Sequence, residues 1–370
     1  MFKLFGFVSK LSLLDKYSVI YGDRTNLLPD ESAELKALAH SILKRIREKD
    51  FSCLVRALEK RGGCETPCIF FQTHERLGKR VVVEPQVVLF RIFRLPQIRS
   101  LSELKHIAAC SPCHDIDGKV CINPFHYSAT ISSGPVDAIL TSFPSVMKME
   151  SGESSGFISN LTQSSTCRLD SRTLSSQSTG SVDPFVPGKP WCSIAYWELN
   201  ERIGPIFEGT SDVINVFETL PEPTGFCLAE LNRRNDVSEG TKRVRAQIGY
   251  GLQLTRESDG IWIYNRSDYS LFANGPTLIY TNESSPTGKL RHNVVVHKIP
   301  PGYSLKVYDY KLSSQVCRAV DSAGVRCSHP DSVRISFKKG WGATLSSKKY
   351  CRPLVTSCPC WIEVHLSVAE

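Results

Sequence analysis

The 370-residue sequence predicts two folded domains joined by a disordered linker: a small α+β domain rich in Cys and His, then a β-sandwich with flanking helices. Three observations carry this. Residues 128–187 are rich in Ser and Thr, poor in charge and large apolar side chains, and bounded by Pro184, Pro187 and Pro190. Such a stretch cannot bury enough surface to order itself. Before it, apolar residues recur at helical spacing and Cys and His gather near its start. After it, short runs alternate apolar and polar residues, the period of half-buried strands. The boundaries that follow are a disordered N-terminus at 1–30, a first domain at 31–127, the linker at 128–187 and a second domain at 188–370.

Composition narrows the function. A net charge of +8, gathered in a few clusters, favours acidic partners such as phosphate groups on nucleic acid or phosphoprotein. No apolar run approaches the ~18 residues of a membrane span, so no membrane insertion is expected. Fourteen cysteines could imply disulfides, but Met1 to Tyr17 has neither a continuous apolar core nor a small-residue cleavage site. A reducing compartment is expected, with thiols free or on metal. No Ser/His/Asp, metal-water or phosphate-loop pattern appears, and an enzyme is not expected.

In chain order, Leu35, Leu38, Ala39, Ile42, Leu43 and Ile46 form the apolar stripe of a first helix, with Lys44, Arg45 and Arg47 opposite. Asp50 is placed to cap a second helix that buries Phe51, Leu54, Val55 and Leu58 and ends at Gly62-Gly63. Residues 68–71, 81–83 and 87–93 read as strands, with the cations Arg76, Lys79 and Arg80 between the first two. Ser102 is placed to cap a short helix through Leu104 and Ile107.

Chemistry first appears where this domain closes. Structural zinc needs four soft or borderline donors in a closed tetrahedron. Cys68, Cys110, Cys121 and His126 can supply them, the last two from one tight turn made by Asn123-Pro124. Cys64, Cys113 and His114 compete for the same role on spacing alone.

Beyond the linker, strands are expected at 191–198, 213–217, 247–254, 261–264, 293–298 and 304–310, with Asp259-Gly260 as a hairpin turn and a helix at 226–232. Residues 283–288 and 316–330 read as inserted loops. The last pair of strands, 333–337 and 358–366, brackets a cationic loop: Lys338, Lys339, Gly340, Trp341 and Gly342, then Lys348, Lys349 and Arg352. Lys242, Arg243 and Arg245 precede a strand and add to this charge. Cys358 and Cys360 read as core packing.

Five stretches closely resemble the Smad family. Leu-Lys-Ala-Leu-Ala-His-Ser-Ile-Leu-Lys-Arg-Ile-Arg-Glu (35–48) is similar to the opening helices of inhibitory Smads, and Val-Cys-Ile-Asn-Pro-Phe-His-Tyr (120–127) to the Smad zinc box. Trp-Cys-Ser-Ile-Ala-Tyr-Trp-Glu (191–198) resembles the start of the C-terminal domain. Ser-Phe-Lys-Lys-Gly-Trp-Gly (336–342) with Ser-Cys-Pro-Cys-Trp-Ile-Glu (357–363) resembles its end, and Cys-Pro-Cys looks like the inhibitory branch. The resemblance covers roughly residues 33–127 and 190–366. It implies MAD homology domains 1 and 2, the second a Smad/FHA-like sandwich, and one structural zinc on Cys68, Cys110, Cys121 and His126.

The same resemblance implies a non-enzymatic antagonist of TGF-β/BMP signalling in cytoplasm and nucleus. Its partners would be phosphorylated type I receptor serine/threonine kinases, other Smads and transcription cofactors, in homo- or hetero-oligomers. The receptor groove falls on Arg243, Arg245, Lys339, Gly340, Trp341, Gly342 and Arg352, with Gln247 where a lysine is expected. The chain ends at Glu370 without the Ser-x-Ser tail of activating members, and the linker lacks a Pro-Pro-x-Tyr site. A DNA-binding regulator acting through the first domain is the alternative. Gly78 stands where DNA-binding Smads carry Gln, so Arg76, Lys79 and Arg80 are expected to meet phosphates weakly, without reading sequence.

Overall fold

A computed structural model of the chain describes residues 10–19, 28–72, 75–77, 80–82, 84–110, 118–131, 189–278, 296–313, 331–342 and 352–367. The first domain opens with three helices, α1 Lys10–Tyr17, α2 Pro29–Arg45 and α3 Glu48–Glu59. α1 falls in the stretch expected to be disordered: Leu13 and Leu14 are buried in the core that α2 and α3 share, which is what orders it. Pro29 occupies the first turn of α2, where its missing N–H costs nothing, and Asp30, Glu31, Lys44 and Arg45 match the helix dipole. Asp50 does not cap α3 but sits inside its first turn, accepting from Arg47 Nε at 2.7 Å. The helix closes when the Gly62 N–H returns to the Ala57 carbonyl.

Strands β1 Phe70–Gln72, β2 Glu75–Leu77 and β3 Arg80–Val82 follow, β2 and β3 forming a hairpin. The next element corrects the sequence reading. Residues 87–93 belong to helix α4, Pro85–Phe93, not to a strand. Its β-branched run favoured a strand, but Pro85 starts the helix and Val87, Leu89, Phe90, Ile92 and Phe93 are all buried, so no polar face marked the helical period. Likewise Ser100, not Ser102, caps a short 3₁₀ helix through a capping box with Glu103, and Leu104–His106 is strand β4. β5 Lys119–Cys121 pairs with β1, and β6 Tyr127–Thr130 closes the domain.

In the second domain, β7 Cys192–Glu198, β8 Glu201–Gly209, β9 Val213–Phe217 and β10 Phe226–Cys227 lead to helix α5, Glu239–Ile248. The helix expected at 226–232 is this β10 and a 3₁₀ turn; the α-helix starts later, where the Ser238 side chain accepts from the Thr241 N–H. Then come β11 Leu252–Glu257, β12 Gly260–Asn265, β13 Leu271–Asn274, β14 His297–Ile299, β15 Tyr303–Asp309, β16 Ser332–Phe337 and β17 Trp361–Leu366. β8 and β13 were not anticipated. The inserts at 283–288 and 316–330 and most of the linker lie outside the described residues.

Two sheets face each other over one apolar core that includes Tyr196, Leu254, Ile263, Val307, Ile335 and Ile362. One has the order β14-β13-β16-β17-β7-β8. The other runs β10-β9-β11-β12-β15 and continues into β6 and β4 of the first domain. β6 lies parallel to β15, Tyr303 beside Ala129 and Ser304 beside Thr130, with Ala129 and Ile131 N–H donating to the Gly302 and Ser304 carbonyls at 3.0 and 3.1 Å. Ser128–Thr130 is therefore sheet, not the start of the linker. Around this seam Ser304 Oγ donates to Ser128 Oγ, Lys105 pairs with Glu257, and Arg266 donates to the Gly62 carbonyl. Arg61–Asp268 and Arg56–Glu222 ion pairs lie exposed at its rim.

Candidate metal centre and cationic groove

The ligand atoms of Cys68, Cys110, Cys121 and His126 converge within 4.8 Å of one another, and this is the set the zinc-box resemblance selects. Cys68 follows the loop out of α3, Cys110 ends the turn after β4, and Cys121 closes β5. His126 ends a 3₁₀ turn, Pro124–His126, capped by the Asn123 side chain on the Phe125 N–H. Asn123 also donates to Thr66 Oγ1 at 2.9 Å, tying the turn to the loop that carries Cys68.

His126 Nδ1 lies 3.4 Å from Cys68 Sγ and 3.5 Å from Cys121 Sγ, while Nε2 lies 2.9 Å from the Thr66 carbonyl. That carbonyl takes the Nε2 proton and leaves Nδ1 free to ligate, the outer-shell bond usual for metal-bound His. Three sulfurs and one imidazole nitrogen fit one tetrahedral ion and leave no open position for catalysis. Burial opposes a charge on His126, but the Cys121 and Cys68 sulfurs outweigh it and raise its pKa. Sequence reasoning missed His106, whose Nδ1 lies 3.3 Å from Cys110 Sγ and whose ring packs on Tyr127. Cys113 and His114 lie outside the described residues, and Cys64 is buried apart from the cluster.

The cations of the second domain divide. Arg243 is exposed on α5, and Lys339 and Arg352, both within the connection between β16 and β17, are half-buried. The Lys339 pKa falls below the ordinary lysine value, first through burial and then through Arg352, Lys338 and Arg243. Four cations thus converge there, and Lys338 belongs with them. Its left-handed backbone, φ 65°, is held by a bond to the Ser270 carbonyl and brings Nζ over the Tyr269 ring at 4.1 Å. Gln247 also holds it, through an Oε1 contact to Nζ and an Nε2 bond to the Tyr269 hydroxyl.

Arg245 takes no part. It points inward from α5, 8% exposed, and makes a two-pronged ion pair with buried Glu198. The family resemblance puts it in the groove, but the segment is a helix, and positions 243 and 245 fall on different sides. Trp341 is buried too, packed in a cluster with Val355, Cys358 and Trp361 that also touches Phe272 and Trp197. It pins the loop from beneath. Gly340 lies so close to Phe272 that a Cβ would stand 2.8 Å from its Cδ1, and the Gly342 N–H closes the loop onto the Arg352 carbonyl at 2.7 Å. Burial pushes the Cys358 and Cys360 thiols up to about 11 and about 12, as suits core packing rather than reactivity.

The backbone of residues 75–77 and 80–82 is described, but the side chains of Arg76 and Arg80, and all of Lys79, lie outside the described residues. Among the described residues no helix is long and apolar enough to cross a membrane.

Comparison with known proteins agrees with this geometry. The MH1 domain model matches residues 35–131 and the MH2 domain model residues 189–367. Mothers against decapentaplegic homolog 6 of Gallus gallus is 36% identical over 342 residues, covering 90% of this chain and 75% of that protein. Mothers against decapentaplegic homolog 7 of Mus musculus is 34% identical over 362 residues, covering 90% and 78%. Dwarfin sma-3 of Caenorhabditis elegans is 32% identical, covering 87% of each chain. Among solved structures, the IAD domain of interferon regulatory factor 9 aligns with 50% of this chain and 86% of its own, at 12% identity and a TM-score of 0.33, too remote to bear on the assignment. With both domain models matched in order and such identity to homologs 6 and 7 along most of its length, the chain belongs to the Smad family, on its inhibitory branch.

Proposed function

We propose that this inhibitory Smad is a non-enzymatic antagonist of TGF-β/BMP signalling that binds phosphorylated type I receptors, or activated Smads, through Arg243, Lys338, Lys339 and Arg352. The observation that supports this is the gathering of Arg352, Lys338 and Arg243 about half-buried Lys339, whose pKa is lowered first by burial and then by those three charges. A folded scaffold that holds four like charges together carries a cost, and a dianionic phosphate with several acceptor oxygens relieves it. Zinc is the ion proposed for the Cys68, Cys110, Cys121 and His126 site, since three thiolates and one imidazole suit it best. Residence in cytoplasm and nucleus follows from the same reading.

The test is a pulldown of the full chain on a type I receptor cytoplasmic domain, phosphorylated and unphosphorylated. Selective capture by the phosphorylated form is expected. Each charge-assisted contact contributes roughly 1.5–3 kcal/mol, so single Ala substitutions at Arg243, Lys339 or Arg352 should weaken capture about ten-fold or more. The triple variant R243E/K339E/R352E should lose capture and signal inhibition while keeping its circular dichroism spectrum. Wild-type binding and inhibition by that variant would refute the proposal.

A further inference from the structure

The metal turn is also where the two domains are pinned together. Arg94, at the end of α4, donates through Nη1 to the carbonyls of Pro124, at 3.1 Å, and Tyr127. Those residues flank the ligand His126. Through Nη2 it donates to the Tyr264 hydroxyl on β12 at 2.8 Å. Its guanidinium lies 5.0 Å from the ring centroids of Phe90 and Phe125 and 5.8 Å from that of Tyr264. Among the described residues no carboxylate pairs with it, so carbonyl dipoles and ring faces hold its charge. The second domain makes room for it at Gly302, where a Cβ would stand 3.0 Å from Nη2.

We propose that metal occupancy of the Cys68, Cys110, Cys121 and His126 site controls docking of the first domain on the β15 edge, with Arg94 as the positioning residue that transmits it. This rests on the metal reading above. The two carbonyls that Arg94 grips lie on either side of Phe125 and the ligand His126, so the ligand bond to His126 constrains their spacing. β6 begins at the next residue, and the same turn delivers the Ala129 and Ile131 N–H groups to Gly302 and Ser304. Without the ion, three sulfurs and a buried imidazole no longer share a centre, and Nδ1 loses its fixed point, leaving the His126 ring tied through Nε2 to the Thr66 carbonyl. Arg94 then cannot hold both carbonyls and Tyr264 at once.

The full chain provides its own readout in residue-resolved amide exchange. Ala129 and Ile131 amides report docking, whereas Ser128 and Thr130 face β4 by alternation and report the first domain alone. In zinc-loaded wild type, with one ion per chain by elemental analysis, all four should be protected. Chelation should raise exchange at Ala129 and Ile131 at least ten-fold. So should Arg94→Met with its zinc retained, leaving Ser128 and Thr130 unchanged. Tyr264→Phe removes only the arm that crosses between domains, and should raise exchange at Ala129 and Ile131 several-fold at full metal content. Protection at those two amides that persists in either chelated wild type or the zinc-loaded variants overturns the proposal. A chain that takes up no zinc yet stays docked overturns the metal reading as well.

Discussion

Arg243 and Arg245 stand two residues apart on α5 and do opposite work. Arg243 is exposed, and Arg243→Ala should change folding stability by less than about 0.5 kcal/mol while weakening phosphoprotein capture. Arg245→Ala would strand the Glu198 carboxylate among buried groups, a loss of roughly 3–5 kcal/mol that urea unfolding of the full chain would register. The difference follows from helical facing, which the sequence carried once 239–248 was seen as a helix. A second residue-scale test concerns Glu363, Arg334 and His365. Burial would raise the Glu363 pKa, but the bond from His365 and the Arg334 charge outweigh it and set it at about 2. The His365 pKa is raised by its bond to Glu363 against a smaller burial effect. A depressed acid stabilises above its ordinary 4.5 and loses that contribution as pH falls, whereas a raised histidine stabilises below its ordinary 6.5 and loses it as pH rises. Stability from this trio should peak between those two values. Glu363→Gln should flatten both flanks of a plot of urea midpoint against pH.

Among elements, the loop between β16 and β17 shows how backbone chemistry sets the groove. Gly340→Ala would push a methyl against the Phe272 ring and lift Lys339 from its place, at a cost of about 1–3 kcal/mol. Reduced thermal stability together with weaker phosphoprotein capture is the expected pair of outcomes; capture at wild-type strength would show that the loop adapts. The strands on either side were readable because each alternates, as in Val-Arg-Ile-Ser-Phe, with one face in the core. α4 was not, because a helix buried nearly all round shows no polar stripe, and its two valines pointed to a strand. The metal turn was readable from residue types and the zinc-box resemblance, yet its outer partners Thr66 and His106 were not, since one bonds through its main chain and the other has no fixed spacing to the ligands.

At the scale of the whole molecule, the joint between domains left no trace in the sequence. A two-residue parallel pairing between β6 and β15 has no periodic signature, and Ser128–Thr130 merges in composition with the linker. The rim ion pairs Arg61–Asp268 and Arg56–Glu222 are exposed and contribute little, so Arg61→Ala should leave the hydrodynamic radius unchanged, as should raising the salt to about 0.5 M; expansion of the particle would mean the rim carries the joint. The order of the six-stranded sheet bears on how the protein is made. β17, the last strand among the described residues, lies between β16 and β7, so it joins β14-β13-β16 to β7-β8. A nascent polypeptide can hold those two halves only as separate fragments with bare edges until Trp361–Leu366 has left the ribosome. A premature stop codon before Trp361, even one that spares every groove cation, should therefore yield an insoluble product cleared by proteolysis rather than a weakened inhibitor.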